Sequence, residues 1–127
     1  VRISASDWVD GGWTVEDSVT LASALKTKGI DVIDASSGGI SPTAKITAGP
    51  GYQVAFAAAI KKQAGILTGA VGIITNAAQA EEILQQEQAD LIFIAREFLR
   101  DAYLPLHAAK ELGDDIAWPD QYVRAKR

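Results

Sequence analysis

With 127 residues, 48% of them hydrophobic and 22% charged, the chain is long enough for one soluble globular domain with its own core. A formal net charge of −4 without a basic stripe argues against a nucleic-acid partner, and no apolar run nears the roughly 20 residues of a membrane span. Cysteine is absent, which excludes disulfides, thiolate catalysis and Cys-ligated metal and makes the cytoplasm the default compartment.

The chain opens on "VRISASDW", and Val1–Ala5 reads as a short strand. A loop with Trp8, Gly11, Gly12 and Trp13 leads to Thr14 and Asp17, spaced as an N-terminal helix cap. The pattern predicts a helix over Val15–Lys28, stopped at Gly29, and a second strand over Ile30–Ala35. Ser36–Tyr52 is a loop rich in Gly, Pro and Ser, followed by an Ala-rich helix over Gln53–Ala64 that stops at Gly65.

Ile66–Val71 is the third strand, and Asn76 and Gln79 stand at cap and third-residue spacing for a helix running to about Gln88. Ala89–Ala95, "ADLIFIA", is the fourth strand. Short helices over Glu97–Arg100 and Tyr103–Leu112 follow, and Asp114–Arg127 carries no clear pattern.

Strands apolar on both faces, each followed by a helix, imply a parallel sheet with right-handed crossovers. A complete doubly wound sheet of four strands fits, and so does half of a (β/α)8 barrel, whose usual whole is roughly 250 residues. A free-standing sheet needs protected edges. Val1–Ala5 has no preceding cover and Ala89–Ala95 carries only Asp90, so the half-barrel is the better account. Methionine is also absent, as expected of a chain whose first part has been removed by processing or fragmentation.

Chemistry in such folds gathers at the C-terminal ends of the strands. Gly69-Ala70-Val71-Gly72 ends the third strand and Ala95-Arg96 the fourth, each leading into a helix start. Small residues admit an anion to backbone N–H groups, and a guanidinium adds bidentate charge. The same pattern also serves a plain tight turn beside a solvated arginine. An arginine near a chain end reads most simply as a frayed, exposed residue. Arg2 and Ser4 nevertheless share a strand face that in a barrel could point inward, where a lone buried guanidinium requires an anionic partner, such as a cofactor that becomes anionic on reduction. Ser36-Ser37-Gly38-Gly39 could present backbone donors, but reads more simply as a flexible turn. His107, the sole histidine, sits mid-helix, and Asp114-Asp115 has no second ligand cluster, so no metal site is expected. The three tryptophans read as packing anchors.

The segments "VRISASDW", "GIDVIDASSGG", "PGYQVAFAAAIKK", "TGAVGIITNAAQAEEIL", "ADLIFIAREFLRD" and "QYVRAK" follow one another in an order that resembles the C-terminal half of the old yellow enzyme family, in its bacterial NADPH dehydrogenase (ene-reductase) branch. The resemblance spans nearly the whole chain. It implies a single half-barrel over residues 1–127, corresponding to strands five to eight of an FMN-binding (β/α)8 barrel.

Under that resemblance, Arg2 matches an arginine facing the pyrimidine edge of the flavin, and Gly72, Ala95 and Arg96 match phosphate-holding positions. Ser37 and Gly38 match the strand end near the ribityl chain. Arg124 matches a C-terminal arginine that reaches a neighbouring subunit's active site. Two departures stand out: Ala95 replaces the usual Gly before the strand-eight arginine, and Ala125-Lys126-Arg127 replaces the usual Gly and aromatic.

The family's substrate-binding histidine pair and active-site tyrosine belong to the first half of the barrel and have no counterpart here, so no catalytic residue is assigned. The implied parent takes hydride from NADPH or NADH through FMN to the C=C bond of a small unsaturated carbonyl compound. The implied partners are the missing N-terminal half and further copies of the chain, with no nucleic acid and no membrane. The 127 residues alone are expected to be inactive. The residues by themselves leave two other readings open, a stand-alone anion-binding or assembly module and a non-flavin phosphate-binding barrel fragment.

Overall fold

Alternation within the strands sorts their side chains onto two unlike faces, and the computed structural model, which describes residues 1–126, follows that division. Four parallel strands lie in the order of the chain: β1 (Arg2–Ser4), β2 (Val32–Ser36), β3 (Leu67–Ala70) and β4 (Leu91–Ile92). Register aligns Arg2 with Asp34, Asp34 with Gly69, and Gly69 with Leu91 in one layer. The neighbouring row, Ile3–Ala35–Ala70–Ile92, points the other way.

Between and after the strands come α1 (Val15–Thr27), α2 (Val54–Ala64), α3 (Ala77–Gln85), α4 (Arg96–Arg100) and α5 (Leu104–Leu112). Ala22 of α1, Phe56, Ala57 and Ile60 of α2, and Ile83 of α3 pack with Ile33, Ala35 and Ala70 into one core. All of this packing is on the Ile33 face. The opposite face leaves Leu67 52%, Leu91 47% and Phe93 38% exposed. A doubly wound sheet needs helices on both faces, so helices on one face alone identify a barrel arc. The expectation of a half-barrel holds, and the apolar residues on the second face are those of an interior.

Local signals fix the element ends. Thr14 and Asp17 form a reciprocal capping box at the start of α1, the Thr14 hydroxyl accepting from Asp17 N at 3.2 Å and the Asp17 carboxylate from Thr14 N at 2.9 Å. Gly65 and Gly113 end α2 and α5 in the left-handed conformation. Trp13 Nε1 donates to Ser18 Oγ at 2.6 Å, and Ser18 Oγ donates to Ala5 O at 3.0 Å, tying the first loop, α1 and the end of β1 together. Trp8 packs its indole edge-on to Phe56, with ring centroids 5.5 Å apart.

Two expectations need correction. The sequence pattern predicts a fourth strand over Ala89–Ala95, yet regular pairing covers only Leu91–Ile92, because β4 has one neighbour and its backbone turns off after Phe93 N donates to Ala70 O. The tail, read as patternless, forms a 3-10 turn over Asp120–Ala125, where Tyr122 packs edge-on to Tyr103 at 5.3 Å.

Candidate functional site

The loops that leave β3 and β4 converge at the C-terminal rim and enclose a cleft of about 590 Å³ lined by Gly72, Ile73, Thr75, Ala95, Arg96 and Arg100. Gly72 has φ +124°, and a Cβ there would lie 2.8 Å from Gln53 Nε2 and 3.0 Å from the Tyr52 ring, so only glycine fits. Ile73 follows at φ +52°, a strained value for a β-branched residue. Gln79 holds this loop, its Nε2 donating to Ile73 O at 3.2 Å and its Oε1 accepting from Thr75 N at 3.0 Å. Gln79 thus clamps the backbone one residue before Asn76, the cap of α3, while Asn76 Oδ1 accepts from Gln79 N at 2.8 Å. Arg96 opens α4, whose N-terminus no side chain caps, and Arg100 pairs with Glu97. Three predicted residues, Gly72, Ala95 and Arg96, therefore line one cleft, together with Glu97.

Ser37 stands just beyond β2 and donates its hydroxyl to Gln53 Oε1 at 2.7 Å. Gln53, buried to 4% exposure, passes its Nε2 on to Val71 O at 3.1 Å. One amide therefore links the loop after β2 to the loop after β3. The sequence pattern predicts Gln53 only as the start of a helix. Its polarity at the head of an Ala-rich helix was the available signal. Gly38 takes φ +85°, with the tip of the Ile46 side chain 2.7 Å from where its Cβ would be.

Arg2 lies on the open face, one layer inside the rim. Its Nη1 donates to Asp34 Oδ2 at 3.1 Å, and its Nε donates upward to Ser36 Oγ at 3.2 Å. The Arg2 side chain is 60% exposed and that of Asp34 14%. The expectation that Arg2 is a lone guanidinium wanting an external anion is corrected, because Asp34 supplies a carboxylate from within the chain. Burial pushes the Asp34 carboxyl above its ordinary range, and the Arg2 charge opposes that rise. Asp34 Oδ1 and Ser4 Oγ are both buried without a hydrogen-bond partner. The signal for Asp34 was a charge inside the apolar run "VIDA", at even spacing from Ser36.

Other predicted positions fall elsewhere. Arg124 sits in the exposed 3-10 turn, outside the rim cleft and the open face. His107 is a surface residue whose Nδ1 meets Asp101 Oδ2 at 2.6 Å, a contact that holds the Asp101 carboxyl below its usual range. Among the described residues, no group of three or more His, Cys, Asp or Glu is placed to hold a metal ion. No helix among them is long and apolar enough to cross a membrane.

A family model described as NADH:flavin oxidoreductase / NADH oxidase matches residues 1–115. An NADPH dehydrogenase of Halalkalibacterium halodurans is 57% identical over 125 residues, 98% of this chain and 37% of that protein. An NADPH dehydrogenase of Bacillus pumilus is 55% identical over 98% of this chain and 37% of its own length. One from a Geobacillus species is 55% identical over 100% of this chain and 37% of its own. The chain thus spans 37% of the length of the curated relatives it matches. Arg124 lies beyond the stretch that the family model matches.

Proposed function

The chain belongs to the NADH:flavin oxidoreductase / NADH oxidase family, and from that premise we propose that it is the C-terminal half-barrel, over residues 1–127, of an FMN-dependent NADPH dehydrogenase of the old yellow enzyme type. The observation that carries the reading is the shared cleft of Gly72, Ala95 and Arg96 at the C-terminal rim. Barrels of this class bind phosphate at that rim, in the loops after their last two strands.

The residues present fit the cofactor. Gly72 keeps the loop backbone open where any Cβ would collide with Gln53. Arg96 would give the phosphate a guanidinium, and the methyl of Ala95 would narrow the approach without closing it. Ser37 and Gly38, at the mouth of β2, would face the polyol chain between phosphate and ring. Arg2, exposed on the inner face, would meet the pyrimidine edge of the ring system, and the buried, unpartnered Ser4 Oγ, one layer nearer the rim, is a further polar atom without a partner.

FMN, when bound, supplies two-electron chemistry that takes hydride from NADPH and delivers it to an acceptor. Arg2 would hold positive charge beside the ring system, which is electrostatic stabilisation by a preorganised group. The acceptor class we propose is a small carbonyl compound with a conjugated C=C bond. The residues that would bind such a carbonyl oxygen lie outside this chain, and the 127 residues alone should not turn over. Arg124 would act only across a subunit boundary, in a homo-oligomer; the cytoplasm remains the proposed compartment.

The test uses the full-length protein that carries these residues. It should purify yellow, oxidise NADPH with an enone, and lose roughly tenfold to a hundredfold in FMN affinity in Arg96→Ala, as expected for a charged hydrogen bond. A colourless protein that stays apo with excess FMN would refute the reading.

A further inference from the structure

The inner face of the sheet carries Arg2, Ser4, Val32, Asp34, Ser36, Leu67, Gly69, Leu91 and Phe93, and Asp34 is the sole acid among them. Its placement is not explained by stability. A carboxylate that is 14% exposed, with Oδ1 buried and unbonded, is a cost to the fold. Apolar replacements of such buried charges are often neutral or stabilising. Yet Oδ2 is spent on Arg2, and the next residue in the layer, Gly69, has no side chain with which Asp34 could pair instead.

The geometry around Arg2 is a two-point hold. Asp34 grips Nη1 at 3.1 Å, and Ser36 takes Nε at 3.2 Å while donating its own hydroxyl to Ile3 O at 3.2 Å. Ser36 lies one layer nearer the rim than Arg2, so the guanidinium is drawn toward the ligand end of the barrel. At these distances the two opposite charges act on a group beyond them as a pair, much weaker than a bare cation.

Resting on the flavin reading above, we propose that Asp34 is a positioning and charge-balancing residue for Arg2, setting how strongly that guanidinium favours the reduced over the oxidised flavin. Asp34 fixes where the cation sits and offsets part of its field. Removing the negative charge while keeping the hydrogen bond leaves Arg2 in place with its charge undiminished.

The test is the midpoint potential of FMN bound to the full-length protein, measured for wild type, Asp34→Asn, Asp34→Glu and Arg2→Gln. Asp34→Asn should favour reduced flavin by about tenfold, read as a rise of roughly 30 mV for a two-electron couple. Asp34→Glu, which keeps the charge, should return the couple toward wild type, and Arg2→Gln should lower it. If Asp34→Asn does not retain FMN, Asp34→Ser is measured in its place with the same expected rise. A couple unmoved by loss of the Asp34 charge, while Arg2→Gln lowers it, overturns the role of Asp34 and leaves the flavin reading standing. A couple unmoved in Arg2→Gln overturns the placement of Arg2 against the flavin, and the role of Asp34 with it.

Discussion

Gln53 and Gly72 are in such close contact that a single methyl on Gly72 would come within 2.8 Å of Gln53 Nε2. They belong to different βα loops, yet each limits the other: the amide fills the space that glycine leaves, and its Nε2 bonds the carbonyl of Val71, the residue before that glycine, at 3.1 Å. Gly51 N adds a bond to Gly72 O at 2.9 Å. The rim cleft is therefore built by loop-to-loop fitting, not by one motif.

Gly72→Ala should be among the most damaging single-atom additions in the chain. It meets both a backbone angle of +124° and a contact shorter than side chains accept. Strain of about 1–3 kcal/mol is expected. Thermal unfolding of the full-length protein, with and without added FMN, checks this; the variant should lose several degrees and also retain less flavin.

Gln53→Ala leaves the Ser37 hydroxyl and Val71 O without their partner in a site that is 4% exposed. A loss of about 1–3 kcal/mol follows from stranding buried polar groups. Urea unfolding measures it. Gln53→Glu should not rescue, because a carboxylate cannot donate to Val71 O.

Thr14→Ala removes the hydroxyl half of the capping box and should cost about 1 kcal/mol. Hydrogen bonds from Thr14 hold the Asp17 carboxyl below 3.8. Its contribution is present above the unfolded value and is lost as pH falls through the folded one. Carboxyl NMR should find Asp17 titrating at a higher pH in Thr14→Ala than in wild type.

Asp34 behaves oppositely. Burial raises its carboxyl above 3.8, against the pull of Arg2. Its contribution to stability is fully present below the unfolded value and is lost as pH rises through the folded one. Asp34→Asn should flatten the stability profile in the window just above 3.8. A profile unchanged by that substitution would refute the assignment.

Much of the rim was legible because it is written in backbone chemistry. Gly72 and Arg96 follow strands and precede helices, and that order alone brings them to one end of a parallel sheet. Gln53 and Asp34 were not legible in the same way. A glutamine at the head of an Ala-rich helix and an aspartate inside a strand acquire roles only from neighbours 16 and 32 residues away, Ser37 and Arg2.

By itself the sequence determined the alternation of strand and helix, the helix caps at Thr14 and Asn76, and the glycine stops at Gly65 and Gly113, since these depend on residues a few positions apart. Its local pattern could not say which strand face the helices cover, because Leu91 and Ile92 are equally apolar and differ only in what packs against them. Only the tertiary structure decided that Ile33, Ala35 and Ala70 face the helices while Asp34 and Leu91 share the face of Arg2. The physical reason is register: pairing fixes all strands to one alternation, and burying the Ile33 row against three helices leaves the charged pair on the side where a barrel keeps its chemistry.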